Sequence, residues 1–378
     1  MKKFYTIFSI LSVVVGFAQI PTGYYNTATG SGYTLKTQLK NIITTNHSDQ
    51  GYAALWTLYT QSAFRDNYYE NDGSLLDLYS ENPTGADPYN YTSTSQQCGN
   101  YTAEGQCYNR EHLVPQSYFD NFAVDPMKND PFHVFPSDGK VNGDRNNLPF
   151  GKVSTATYTS QNGSKRGANT VNDFSGYSAT VFEPLDAFKG DVARAFFYFA
   201  TRYEDSMDDF YTSANAATCE AKNMFDGSIN KVFSDNFILL LIKWHKDDPV
   251  SAKEIAQNNA IYNFQGNRNP YIDHPEYVCN IWTTQCATVD LLATDSFEAI
   301  ANISIYPNPT KNNRININSD VELSEIELIN INGQIVQQIK KPNSIQNVYT
   351  LENLPQGFYF VKLTAADNQT ATKKILVN

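Results

Sequence analysis

At Ile303 the chain changes its hydrophobic period. From there to Asn378 the segments ISIYPNP, RININ, EIELININGQIVQQI, GFYFVKLTA and KKILVN alternate apolar and polar residues, with turns at Asn332-Gly333 and at Pro355-Gln356-Gly357. A period of two places one face of each strand in a core, so this stretch predicts a separate small β-sandwich. Upstream, LDAFKGDVARAFFYFATRYED, FSDNFILLLIKWH and PVSAKEIAQNNAIYNFQ space their apolar residues as buried helices do. The last opens with Ser251 and Glu254 in a capping-box arrangement. The expected class is α+β: a mainly helical domain over 19–288, a linker over 289–301, and the sandwich over 302–378. A chain of 378 residues can bury both cores.

Residues 1–18 run from Lys2 and Lys3 through a short apolar segment to Gly16 and Ala18, the pattern of a secretory signal peptide. No later segment offers the roughly 18 uncharged residues of a membrane helix, so a soluble exported protein, expected to be a monomer, follows. Export favours disulfides among the five cysteines. The local pairs are Cys98 with Cys107 and Cys279 with Cys286, which leaves Cys219 over. A zinc site from Cys98, Cys107, His112 and His133 fits no standard ligand spacing. The chain carries −11, and two leader lysines plus a net +1 after residue 300 leave the central region at −14. That balance opposes a polyanion partner unless positive charge is local or a metal supplies it.

The chemistry concentrates in CYNREHLVP, which sets Glu111 beside His112, and in DPFHVFPSDGKVNGDRNNLPFG some twenty residues on. The second stretch reads as a strand over Phe132–Phe135, then a helix start with Ser137 or Asp138 as N-cap. In that helix Asn142 and Asn146 stand four apart, with Arg145 beside them. Phosphodiester hydrolysis needs a base for water, a cation for the developing charge and a donor to hold the phosphate. His112 suits the base, Glu111 and the Asn142 amide oxygen are hard ligands for magnesium, and Arg145 or Arg110 can grip phosphate oxygens. Neighbouring residues of a regular strand face opposite ways, so Glu111 and His112 are expected at a strand end or bulge, closed by Pro115.

These residues resemble the endonuclease I family, built on a ββα-metal motif. The likeness runs through DGSLLDLYSENP, CGNYTAEGQCYNREHLVP and FHVFPSDGKVNGDRNN to QGNRNPYIDHPEYV at 265–278. It implies His112 as general base and Glu111 and Asn142 as metal ligands; Arg145 is expected in the catalytic group and Mg2+ as the cation, with Mn2+ or Ca2+ as substitutes. Arg110, Asn146 and Arg268 are the expected substrate contacts. It further implies secreted, largely sequence-independent cleavage of DNA and often RNA, leaving 5′-phosphates. Asp144 departs from the basic residue that several relatives carry there. The tail resembles the type A sorting domain of the type IX secretion system through YPNP at 306–309, ELININGQIV, LPQGFYFVKL and KKILVN. The implied route is Sec export followed by type IX transfer to the cell surface or medium.

The remaining histidines read as structural: His133 as a buried hydrogen-bonding residue, His245 as a partner of its own helix's last carbonyls, and His274 as part of a loop shaped by Pro270 and Pro275. The sequence also fits two competing functions. One is a binding or adhesive module on an inactive nuclease fold; the other is a zinc or calcium protein without hydrolytic activity, using the acidic loops at 65–87.

Overall fold

Two units divide the chain, Met1–Cys286 and Ala287–Asn378. The computed structural model describes residues 20–119, 124–170, 179–212, 220–301, 303–366 and 369–378. The expected leader and Cys219 lie outside the described residues.

The first unit begins with α1 (Gly32–Thr44), whose Leu35, Leu39 and Ile43 recur every four residues and are buried. A short α2 (Leu55–Leu58) leads to long loops, and then to β1 (Tyr108–His112), β2 (Val134–Asp138) and α3 (Gly139–Arg145). A three-stranded antiparallel sheet follows, formed by β3 (Val153–Thr159), β4 (Lys165–Asn169) and β5 (Thr180–Glu183). The helical half comprises α4 (Lys189–Arg202), α5 (Asp209–Thr212), α6 (Ala221–Met224), α7 (Asp235–Asp247), α8 (Ala252–Gln265), α9 (Pro270–Asp273) and α10 (Tyr277–Ile281).

Helix α4 is buried along nearly its whole length, and α1, α7 and α9 pack around it. Aromatic rings fill the space: Phe196 lies 5.2 Å from Phe237 and Phe197 4.9 Å from Trp282. Arg194 and Lys253 are buried here, and each is paired. Arg194 forks onto Glu254, with Nη2 to Oε2 at 2.8 Å, while Lys253 binds Asp191. Glu254 also closes the expected capping box with Ser251. Asp130, just before β2, accepts the hydroxyls of Tyr198 and Tyr203 at 2.8 Å and Gln265 Nε2 at 2.9 Å. Those bonds tie the strand pair to α4 and α8.

His245 departs from expectation. Its Nε2 bonds the carbonyl of Pro275 at 3.1 Å, not the end of its own helix, because α7 continues to Asp247 and carries the ring into the contact with the segment before α10. Both expected disulfides are present, with Cα separations of 5.7 Å for Cys98–Cys107 and 5.6 Å for Cys279–Cys286. The segment expected as a linker, 289–301, lies inside α11 (Thr283–Ala301). Its sequence contains neither glycine nor proline, so nothing local interrupts helical propagation.

In the second unit β6 (Ser304–Tyr306), β7 (Ile315–Asn318) and β10 (Val348–Leu351) form one antiparallel sheet in the order β10-β7-β6. Strands β8 (Leu323–Asn330), β9 (Ile335–Lys340), β11 (Gly357–Ala365) and β12 (Thr370–Val377) form another in the order β12-β11-β8-β9. Ile315, Ile317 and Leu351 from the first sheet join Ile326, Leu328, Val361 and Ile375 from the second in one apolar cluster. The β8–β9 hairpin turns at Gly333, whose φ of +80° a side chain would disfavour.

Candidate active site

Strands β1 and β2 pair antiparallel, with Glu111 opposite Phe135 and His112 opposite Val134. Asp138 ends β2 and caps α3: one carboxylate oxygen accepts Val141 N at 2.9 Å, the other Tyr91 Oη at 2.6 Å and Gly105 N at 2.8 Å. Ser137 therefore does not serve as the N-cap. Helix α3 lies against the Tyr101 ring through Gly139 and Gly143, where an added Cβ would come within 2.6 Å and 2.5 Å of that side chain. Asn146 falls just beyond the helix, at φ +54°.

Glu111 and His112 are the last two residues of β1, and both line one open cavity with Tyr101, Arg110, Gln116, Asn142 and Arg145. Asn146 lines it as well. Burial holds the His112 imidazole at a pKa of about 3, with His133 nearby adding to the effect. The ring is neutral at physiological pH. Its Nε2 stands 3.0 Å from the carbonyl of Lys128, which can only accept, so the proton sits on Nε2. That assignment leaves the lone pair on Nδ1, where the Gln116 amide donates at 3.1 Å. The basic atom is thus fixed by its neighbours.

Glu111 is 2% exposed, and burial raises its carboxyl against the opposing pull of Arg145 and Tyr79. Oε1 accepts the Tyr79 hydroxyl at 2.7 Å and lies 3.2 Å from Arg145 Nη1. The backbone N–H of His112 adds to that pull on the carboxylate. Asn142 donates its amide nitrogen to Asn109 Oδ1 at 2.7 Å, which leaves Oδ1 as its acceptor. A carboxylate oxygen and an amide oxygen, each oriented by a partner on its other side, fit a hard divalent cation.

The arginines divide. Arg145 is buried, and its guanidinium donates to the carbonyls of His112 at 2.8 Å and Leu113 at 2.5 Å besides facing Glu111. It positions the strand end. Arg110 lies 3.4 Å over the Tyr52 ring and 4.2 Å over Trp56, with Nη1 on the Tyr52 carbonyl, and it reaches the cavity. Arg268 is not brought to the cavity. It is buried and forked onto Asp273, with both bonds at 2.7 Å. Asp144 holds Arg166 at 2.9 Å and binds Lys140. His133 is fully buried on the Met127 carbonyl.

Tyr79, Gln116 and Asn109 were missed as site residues. Asn109 was legible, since two residues before Glu111 on a strand is the same face. Tyr79 and Gln116 give no such signal, because loops bring them in.

Residues 31–276 match the family described as Endonuclease I, and residues 304–378 the family described as Secretion system C-terminal sorting domain. The chain is 31% identical over 263 residues to an extracellular ribonuclease of Bacillus amyloliquefaciens, covering 68% of this chain and 78% of that protein. It is 30% identical to the extracellular ribonuclease of Bacillus subtilis (strain 168), over 73% and 84% of the two chains. Endonuclease-1 of Buchnera aphidicola subsp. Baizongia pistaciae is 27% identical over 39% of this chain and 46% of its own.

Proposed function

The chain belongs to the endonuclease I family and carries a C-terminal secretion sorting domain, and from that premise we propose that it is a divalent-metal-dependent endonuclease that hydrolyses phosphodiester bonds of DNA and RNA, leaving 5′-phosphates. The β1-β2-α3 unit is the ββα-metal motif in this reading, and the C-terminal unit is a sandwich. Sec export through the 1–18 leader precedes type IX transfer.

One observation carries the assignment: His112, Glu111 and Asn142 line a single open cavity. Nδ1 takes the proton of the attacking water once Gln116 yields its place. An approaching phosphate brings negative charge towards the imidazole and favours its protonated form, offsetting the burial that keeps it neutral in the free enzyme. Glu111 and Asn142 would hold the cation, whose charge stabilises the pentacovalent phosphate and the leaving oxygen. Arg110 meets phosphate oxygens with the donors not used on Tyr52, while Arg145 holds Glu111 and the strand end in register.

The test is incubation of the full chain with plasmid DNA and with RNA, each with magnesium and with chelator. Magnesium-dependent nicking by wild type, abolished by chelator and reduced in His112→Ala, is the expected result. Equal cleavage by wild type and His112→Ala would remove the assignment of the base.

A further inference from the structure

Upstream of β1 the chain gathers a second set of carboxylates that shares no residue with the cavity. Asp66, Glu70 and Glu81 each bring an oxygen within 4.8 Å of the others. Residues 66–74 close around the Asp66 carboxylate, whose Oδ1 accepts Tyr68 N at 3.0 Å and Tyr69 N at 2.9 Å and whose Oδ2 accepts Asn71 N at 2.6 Å and Asp72 N at 3.3 Å. Acidic loops are common at protein surfaces, and this geometry alone would mean little.

Glu81 changes the case. It is 1% exposed, and neither of its carboxylate oxygens has a hydrogen-bond partner. Among the described residues no lysine or arginine pairs with Asp66, Glu70, Glu81 or the adjoining Asp87. A buried carboxylate without donors must take up either a proton or a cation, because the bare charge is costly away from water. We propose that Glu81 and Glu70, with the Asp66 charge held beside them, bind a calcium ion.

The donors decide the metal. All are hard oxygens without thiolate or imidazole, which disfavours zinc and copper. Magnesium demands near-octahedral geometry and retains several waters, whereas calcium accepts irregular sets and a carboxylate held through both oxygens, as Glu81 can offer. Glu70 is exposed and gives the ion its route from solvent. Glu81 stands two residues from Tyr79, whose hydroxyl holds Glu111, so a cation here stiffens the segment that orients the proposed catalytic carboxylate.

The experiment is calcium titration of chelator-stripped full-length protein, followed by calorimetry and by thermal unfolding, with Glu81→Gln, Glu70→Gln and, as control for the cavity, Glu111→Gln. Wild type should bind one calcium outside the cavity, with a dissociation constant on the order of 10⁻⁴ M as in extracellular modules. Its Tm should rise on binding. Glu111→Gln should keep that event, while Glu81→Gln and Glu70→Gln should weaken it tenfold or more. Glu70 is exposed, so its variant remains informative if Glu81→Gln fails to fold. No calcium-dependent shift in wild type at millimolar concentrations would leave a shared proton between the carboxylates and overturn the site. An unchanged shift in both loop variants would do the same.

Discussion

Glu111 and Glu81 are both buried carboxylates in the same unit, 2% and 1% exposed, and they are provided for in opposite ways. Glu111 has a tyrosine hydroxyl and an arginine on one oxygen, and the backbone N–H of His112 also reaches its carboxylate. Glu81 has nothing on either oxygen, and its nearest company is acidic. Burial pushes the Glu81 carboxyl up to about 9, with Asp87 and Glu70 adding to it. A site that uses a cation in turnover keeps its ligands oriented when the ion is absent. A loop that uses one only for order can leave that task to the ion.

The largest expected effect falls on turnover. His112→Ala should lose roughly 10² to 10⁴ in rate, the usual range for general acid-base catalysis. Glu81→Gln, assayed at saturating magnesium, should stay within about twofold of wild type. A comparable loss in the two variants would erase the division between a chemical and an ordering carboxylate site. Next comes Arg145→Met, which leaves Glu111, like Glu81, a buried carboxyl group without a cation. It should lower unfolding stability by about 3–5 kcal/mol in chelator, as breaking a buried pair does. Adding Glu111→Gln to that variant should restore much of the loss; denaturant unfolding of the single and double variants measures it. Tyr79→Phe removes only the neutral donor, and about 2 kcal/mol is expected from the same measurement. A negligible effect would mean that Arg145 alone fixes Glu111.

Much of the cavity could be read along the chain because its parts are local. Strand alternation puts Asn109 with Glu111, and the Ser-Asp pair at 137–138 marks the start of α3. What could not be read is which cation meets which anion. Arg145 and Arg268 look alike in sequence, yet Arg145 turns inward onto the end of β1 and Arg268 onto Asp273. Only folding decides such pairings. The helix through 289–301 was hidden for another reason: a change in composition between two units resembles a linker whether or not the backbone stays helical.

The smallest effect concerns acid, where the two regions should pull stability in opposite directions. His112 and His133 have folded-state pKa values of about 3 and about 4, lowered by burial from an ordinary 6.5. For a histidine so depressed, the unfolded chain binds the proton first. Its contribution is fully present above about pH 6.5 and is lost as pH falls towards the folded value. Between pH 7 and 5.5 each should cost about 1 kcal/mol. Glu81 has the reverse sign in chelator: its folded pKa of about 9 lies above the unfolded value, so its contribution is fully present below about pH 4.5 and is lost as pH rises. Acidification therefore recovers some of what the histidines lose. His112→Gln should make the acid fall in stability shallower, and Glu81→Gln should make it steeper. Calcium should steepen the wild-type fall to match Glu81→Gln, because a carboxylate held by the ion no longer takes up the proton. Denaturant unfolding at pH 7 and 5.5, with chelator and with calcium, separates these slopes. If calcium leaves the wild-type slope unchanged, the ion is not on Glu81.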